Sequence, residues 1–485
     1  MIWTGDSARH DNDELIPRSK DQVLSTNQLL VDKFVEVFGK EDNINDTDPT
    51  NDFILPIIPT FGNNDILPHN IFDAGPNLWT KNYLNIWKKF IPEDQRHGFD
   101  RGGWFFVEVI PKKLVVFSLN TLNFFDNNSL VDGCAAKSEP GYQHLEWVSI
   151  QLQFLRERGM KAIMTGHVPP ARTKNKNNWD ETCWQKYTLW MHQYRDVVVG
   201  SIYGHMNIDH FMLQDSKDVK MLSAKRQSEP RSRVALKDVR TAQSTADYLT
   251  ELRIEWSQLP NPPKAISLQR SEGSSEREGA SNPKNRGQKN KKRGGKSKTD
   301  KFFKEIGGEW GERYSLSLVG PSIVPNYFPT LRVIEYNITG IDPVLRPNVP
   351  GEKKPNTHVS DQSGTERPGK LEQDPTHRDV AHKTKSRKKP ARKDRKKDHK
   401  GIPKAPSKSS PPGPAYSPQS LTWLGYTQYY ANLTEINNDF TLDTIAAPGN
   451  GQVQTDGWKE GKYHGEHPHD KNPISHVKKF TFEVE

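Results

Sequence analysis

Ala162-Ile163-Met164-Thr165-Gly166-His167 is a short apolar run that ends on a glycine and an imidazole. The arrangement recurs elsewhere in the chain. Residues 197–199 lead to Gly204-His205, residues 1–4 to Gly5-Asp6, and the apolar run 53–59 to Gly62-Asn63-Asn64-Asp65. Glycine stands directly before Asp6, Asn63, His167 and His205, where it lets the backbone turn sharply away from a strand. Singly, each motif has an ordinary reading: Gly-Asp as a turn, Gly-His as a polar loop, Asn63-Asn64-Asp65 as an Asx turn. Their order and their common place behind apolar runs predict a polar site assembled from strand ends.

Outward from these motifs, strands and helices alternate. Residues 22–38 place Leu24, Leu29, Leu30, Phe34, Val35 and Phe38 at helical spacing, and residues 78–90 put Trp79, Tyr83, Ile86, Trp87 and Phe90 on one face. Residues 104–110 and 114–119 predict consecutive strands joined by Pro111-Lys112-Lys113. Leu145, Val148, Leu152 and Leu155 mark an amphipathic helix ending at Gly159. Residues 315–319 and 330–337 predict strands, residues 421–432 are rich in aromatics, and Val477, Phe480, Phe482 and Val484 alternate as in a strand. No internal repeat is visible, and the alternation indicates layered α/β packing.

The expected organisation is a site-bearing domain over 1–225, disordered basic insertions over 226–300 and 346–413, strands returning to the core over 301–345, and a C-terminal aromatic and strand segment over 414–485. Only 33% of the 485 residues are apolar, too few for the whole chain to pack into a core. The formal charge of +9 averages two unlike parts. Residues 284–301 hold nine Lys/Arg against one Asp, and residues 383–400 hold eleven against two. Setting these +8 and +9 aside leaves about −8 for the rest. Cys134 and Cys183 are too few for a zinc framework and allow at most one disulfide. Asn-x-Ser/Thr sequons stand at Asn45, Asn127, Asn337 and Asn432, and no run approaches the ~18 apolar residues of a membrane span.

The chemistry follows from the residue types. Two divalent metals about 3.5–4 Å apart clamp a phosphoryl group and lower the pKa of a bridging water, so that hydroxide attacks phosphorus in line. A ligand shared by both cations must be a carboxylate, which suits Asp6. An amide oxygen and neutral imidazoles complete the set, with Asn63, His167 and His205 as candidates. His10 follows Asp6 by four residues. It is either a general acid for the leaving oxygen or a surface loop residue.

The longer strings carry a family resemblance. Trp3-Thr4-Gly5-Asp6-Ser7-Ala8-Arg9-His10-Asp11, Gly166-His167-Val168-Pro169-Pro170 and Gly204-His205-Met206-Asn207-Ile208-Asp209-His210-Phe211 resemble the vacuolar endopolyphosphatases of the calcineurin-like metallophosphoesterase superfamily. So do Val324-Pro325-Asn326-Tyr327-Phe328-Pro329-Thr330-Leu331-Arg332 and Trp423-Leu424-Gly425-Tyr426-Thr427-Gln428-Tyr429. The resemblance implies an α/β fold, a β-sandwich core flanked by helices, and hydrolysis of internal phosphoanhydride bonds in inorganic polyphosphate. It also implies divalent metal ions and a lumenal enzyme tied to the vacuolar membrane by an N-terminal anchor. Asp6 would then bridge the metals, and Asn63, His167 and His205 would bind the second of them. Asn207 takes the place of a further metal-binding His. Asn64 stands where the superfamily has a catalytic His, which turns attention to His10 as the acid.

Relatives of this kind carry an anchor, a first strand and an Asp-x-His pair ahead of the position of Met1. The expectation for residues 1–485 is therefore one well-held metal, a second held only by Asp6 and Asn207, and feeble hydrolysis. Two other readings compete: a phosphodiesterase like acid sphingomyelinase, and a non-catalytic polyanion-binding protein. The basic tracts would draw polyanions, polyphosphate included, by counterion release; the alternative is a solvated linker. No aromatics interleave with these charges, so base stacking is not expected.

Overall fold

The apolar runs that precede the motifs become strands, and their parallel pairing sets the motif loops side by side. The computed structural model describes residues 1–10, 15–40, 52–219, 245–263, 297–322, 329–341, 402–431 and 477–483. Met1–Pro347 and Pro403–Glu485 form one compact unit, with Asn348–Ile402 assigned to another. Asn45, Asn432, Val484, residues 323–328, the tract 383–400 and most of the tract 284–301 lie outside the described residues.

β1 (Ile2–Trp3) pairs in parallel with β2 (Ile58–Pro59). β3 (Phe105–Ile110), β4 (Leu114–Ser118), β5 (Lys161–Thr165), β6 (Val198–Tyr203), β7 (His210–Asp215) and β8 (Tyr314–Val319) make a six-stranded sheet in the order β3-β4-β5-β6-β8-β7. β4, β5, β6 and β8 run parallel, while β3 and β7 are antiparallel edges. Every residue of β4 is buried, as befits a parallel strand covered on both faces. The Ser118 hydroxyl at the end of β4 donates to the Pro59 carbonyl of β2 (2.6 Å), tying the small sheet to the large one. A third, antiparallel sheet joins β9 (Thr330–Tyr336), β10 (Trp423–Ala431) and β11 (Val477–Glu483). The result is the expected α/β fold flanked by helices, and where a β-sandwich core was expected the strands form a central mixed sheet with two smaller sheets.

α1 (Lys20–Phe38) opens with a capping box between Ser19 and Gln22. α2 (Leu78–Ile86) and α3 (Arg96–Gly102) follow β2, α4 (Pro140–Glu157) precedes β5, and α5 (Glu181–Gln193) precedes β6. Beneath the Gly62 loop, the Phe61 ring lies 4.8 Å from Tyr83, 5.0 Å from Trp87 and 5.2 Å from Phe72. All four are fully buried. This aromatic cluster gives the motif loop a rigid floor.

The structure departs from the expected organisation in three places. Within 226–300, read as disordered, residues Thr245–Ser257 form helix α6, which buries Tyr248 and Leu252 and stacks Trp256 on Phe211 at 4.4 Å. Glu251 accepts a hydrogen bond from Thr173 (2.6 Å), so the helix is pinned to the loop after β5. The composition of a long basic stretch had masked a short amphipathic segment inside it. Residues 402–413 of the second expected insertion also follow a defined path, with Arg156 donating to the Lys404 carbonyl at 2.8 Å. The segment 301–345 does not hold strands alone, since helix α7 (Lys298–Ile306) crosses its start behind a Ser297 cap. α5 itself was not legible because it buries Trp184, Tyr187, Thr188, Trp190 and Met191 together, which leaves no single apolar stripe. Cys134 and Cys183, whose pairing the sequence left open, are disulfide-bonded.

Candidate metal centre

Asp6 follows β1, Asn63 follows β2, His167 follows β5 and His205 follows β6, so all four sit beyond the carboxyl ends of parallel strands. Open α/β sheets place ligands there. Ligand atoms of Asp6, His167 and His205 lie within 4.8 Å of one another. His167 Nε2 is 3.1 Å from Asp6 Oδ2, and Asn63 Oδ1 is 2.8 Å from both His167 Nε2 and His205 Nδ1. One carboxylate oxygen, one amide oxygen and two imidazole nitrogens therefore converge on one point. That mixed oxygen and nitrogen set suits a divalent cation of intermediate hardness, so the residues present fit the group.

Backbone geometry explains why glycine precedes the ligands. A Cβ on Gly5 (φ +82°) would stand 2.5 Å from the Gly62 nitrogen, and one on Gly62 would stand 2.1 Å from the Asp6 nitrogen. The two ligand loops thus touch backbone to backbone. Asp6, His205 and Asn207 also take positive φ (58°, 69° and 57°), a conformation that Asp, Asn and His adopt more readily than most side chains and that concentrates at functional sites.

Asp65 holds this arrangement without facing the cluster. Its carboxylate accepts from the backbone N–H of Asp6 (2.7 Å), Ser7 (2.9 Å), Ala8 (3.1 Å) and Gly62 (3.0 Å), and from Asn27 Nδ2 on α1 (3.1 Å). Burial and the charge of Asp6 push its pKa up, while the Asn27 and Ala8 donors pull the other way. Asn64 grips Asp6: its backbone N–H donates to Oδ1 and its side-chain amide to Oδ2, each at 2.8 Å. Arg18, also buried, donates to the Asn64 carbonyl.

Protonation states follow from the same contacts. Burial alone would raise Asp6, yet the charge and hydrogen bond of His167 hold it well below the usual carboxylate range. Burial would lower His167, but Asp6 outweighs it and lifts the imidazole above its ordinary value. His205 is pushed down to about 3 by burial and by His167, so it is neutral. His167 Nδ1 lies 2.6 Å from the Thr4 carbonyl. Donating there leaves Nε2 as the ligand atom, an orientation common among metal-binding histidines.

Among the site residues expected from the sequence, Asp6, Asn63, Asn64, His167 and His205 meet in one cluster, and His10 Nε2 lies 4.0 Å from Asp6 Oδ2 at its edge. Asn207 lines an adjoining cavity of about 410 Å³ with Thr245, Thr330, Gln428 and Tyr430. Sequence reasoning missed the holding role of Asp65, although the residue belongs to the quoted motif. Asn27 carried a fainter signal, a polar residue breaking the Val23–Val31 stripe of α1. His69 and Asn70, both within 2.9 Å of the Asn63 amide nitrogen, gave none.

No family model matches the chain. Individual proteins do. The chain is 47% identical to an endopolyphosphatase of Neurospora crassa, with 100% of this chain and 64% of that protein aligned. It is 37% identical to an endopolyphosphatase of Saccharomyces cerevisiae over 90% of this chain and 66% of the relative. A Yarrowia lipolytica endopolyphosphatase is 36% identical over 70% and 42% of the two chains. The chain thus spans less than two thirds of the length of each of these relatives.

Proposed function

The chain belongs to the endopolyphosphatase family, and from that premise we propose that its metal centre hydrolyses internal phosphoanhydride bonds of inorganic polyphosphate. The observation that carries the proposal is the convergence of Asp6, Asn63, His167 and His205 on one point. A bound divalent cation would supply Lewis acidity toward a phosphoryl oxygen and make water a better nucleophile. Asp6 would bridge two such cations, with Asn207 as a further ligand.

The chain's own groups do the rest. Asn64 fixes both oxygens of Asp6, and Thr4 fixes the tautomer of His167. The half-buried His10 imidazole, at the edge of the cluster, donates a proton to the departing phosphate oxygen. That step is worth about 10²-fold, because an inner phosphate is already a good leaving group. The basic tracts gather the polyanion by counterion release. We place the enzyme in the vacuole lumen at its membrane, a setting in keeping with the Cys134–Cys183 disulfide. No described helix is long and apolar enough to cross a membrane.

The test is to follow long-chain polyphosphate on gels with added divalent metal. Fragments of intermediate length support internal cleavage, and orthophosphate alone rejects it. Asp6→Asn and His205→Ala should each abolish cation uptake and chain shortening together. Unaltered uptake in both variants would mean that the cluster is not the metal centre.

A further inference from the structure

A carboxamide has two ends of nearly equal shape, and only its oxygen can face a cation. Rotating the Asn63 amide by half a turn would aim two N–H bonds at the cluster and remove a ligand. The structure holds the far end of that amide in place. Asn63 Nδ2 lies 2.8 Å from His69 Nε2 and 2.9 Å from Asn70 Oδ1, so each of its two hydrogens has an acceptor. After a half-turn, the Asn63 oxygen would instead face the Asn70 oxygen at about that separation, two acceptors with no hydrogen between them.

Resting on the metal-centre reading above, we propose that His69 and Asn70 are positioning residues that lock the Asn63 carboxamide with its oxygen toward the cation. His69 accepts through Nε2, so its proton resides on Nδ1. Asn70 is built for the task. It takes φ +69°, which Asn tolerates, and its N–H donates to the Asn63 carbonyl at 3.3 Å, closing the loop back on the ligand. The residues that orient a ligand contribute to affinity almost as the ligands do, typically 10- to 100-fold on removal.

The experiment measures cation affinity calorimetrically on the full chain, with Mn²⁺ as probe, alongside the cation-free melting temperature. His69→Ala and Asn70→Gly should weaken binding about 10- to 100-fold with little change in melting; Gly also keeps the positive φ. His69→Gln and Asn70→Asp retain an acceptor and should restore most of the affinity. Nitrogen NMR of His69 should show Nε2 unprotonated. The proposal falls if His69→Ala and Asn70→Gly bind like the parent, if His69→Gln binds no better than His69→Ala, or if the proton sits on Nε2. If Asn63→Ala loses the cation while His69→Ala and Asn70→Gly keep it, only the locking role is wrong. A parent chain that takes up no Mn²⁺ overturns the metal centre and this inference together.

Discussion

Asp65 never points at the cluster, yet the two ligand loops depend on it. Four backbone N–H groups from both loops and the Asn27 amide end on its carboxylate, which is wholly buried. Asp65→Asn keeps the shape but turns one acceptor into a donor facing other donors. It should cost about 3 kcal/mol, because buried donors left unmade forfeit their full desolvation energy. Chemical denaturation reads this directly, and cation uptake should weaken in parallel.

The Asp6–His167 pair sets a pH dependence that can be signed. Asp6 is held below its ordinary 3.8, so its share of stability is present above that value and lost as pH falls through the lowered pKa. His167 is held above its ordinary 6.5, so its share is present below that value and lost as pH rises through the raised pKa. The cation-free protein should therefore melt lower once pH passes the His167 value. Cation binding should reverse the trend, since a ligand nitrogen must give up its proton. Calorimetry in buffers of different ionisation heat should show about one proton released per cation below the raised His167 value. Release of none there would mean that His167 is already neutral.

At the scale of elements, Gly200 in β6 is where the third sheet meets the six-stranded one. A Cβ there would stand 2.5 Å from the Trp423 ring, which begins β10. Gly200→Val should force that indole away and destabilise the molecule by about 1–3 kcal/mol, read as a lowered melting temperature with cation affinity intact. The Cys134–Cys183 disulfide links the loop before α4 to the first turn of α5 across 49 residues. Replacing both cysteines by serine should cost about 2–4 kcal/mol. α6 teaches a different lesson. Its thirteen residues were invisible in the average composition of 226–300, yet they hold Tyr248 against His210 at 3.0 Å.

For the whole molecule, charge is segregated: the two tracts carry about +17 and the remainder about −8. The long-range attraction of a polyanion proposed above would then belong to the tracts and should fade with salt. Deleting residues 284–296 and 383–400 should raise the KM for long-chain polyphosphate several-fold at about 50 mM salt and little at about 200 mM. Cation affinity should not change. An unaltered KM at low salt would assign the tracts no part in capture.

The glycine-to-ligand motifs, the alternation of strand and helix and the segregation of charge were legible from residue order. All three obey local rules of backbone freedom, side-chain period and composition. Residue order could not say that Asp6 and His205 share one cation-sized space, that Asp65 and Asn27 clasp the loops, that His69 and Asn70 reach the Asn63 amide, or that the two cysteines bond. Those facts came only from the tertiary structure, because each depends on atoms brought together by the pairing of distant strands and the packing of helices over them. Nothing in local spacing encodes that meeting.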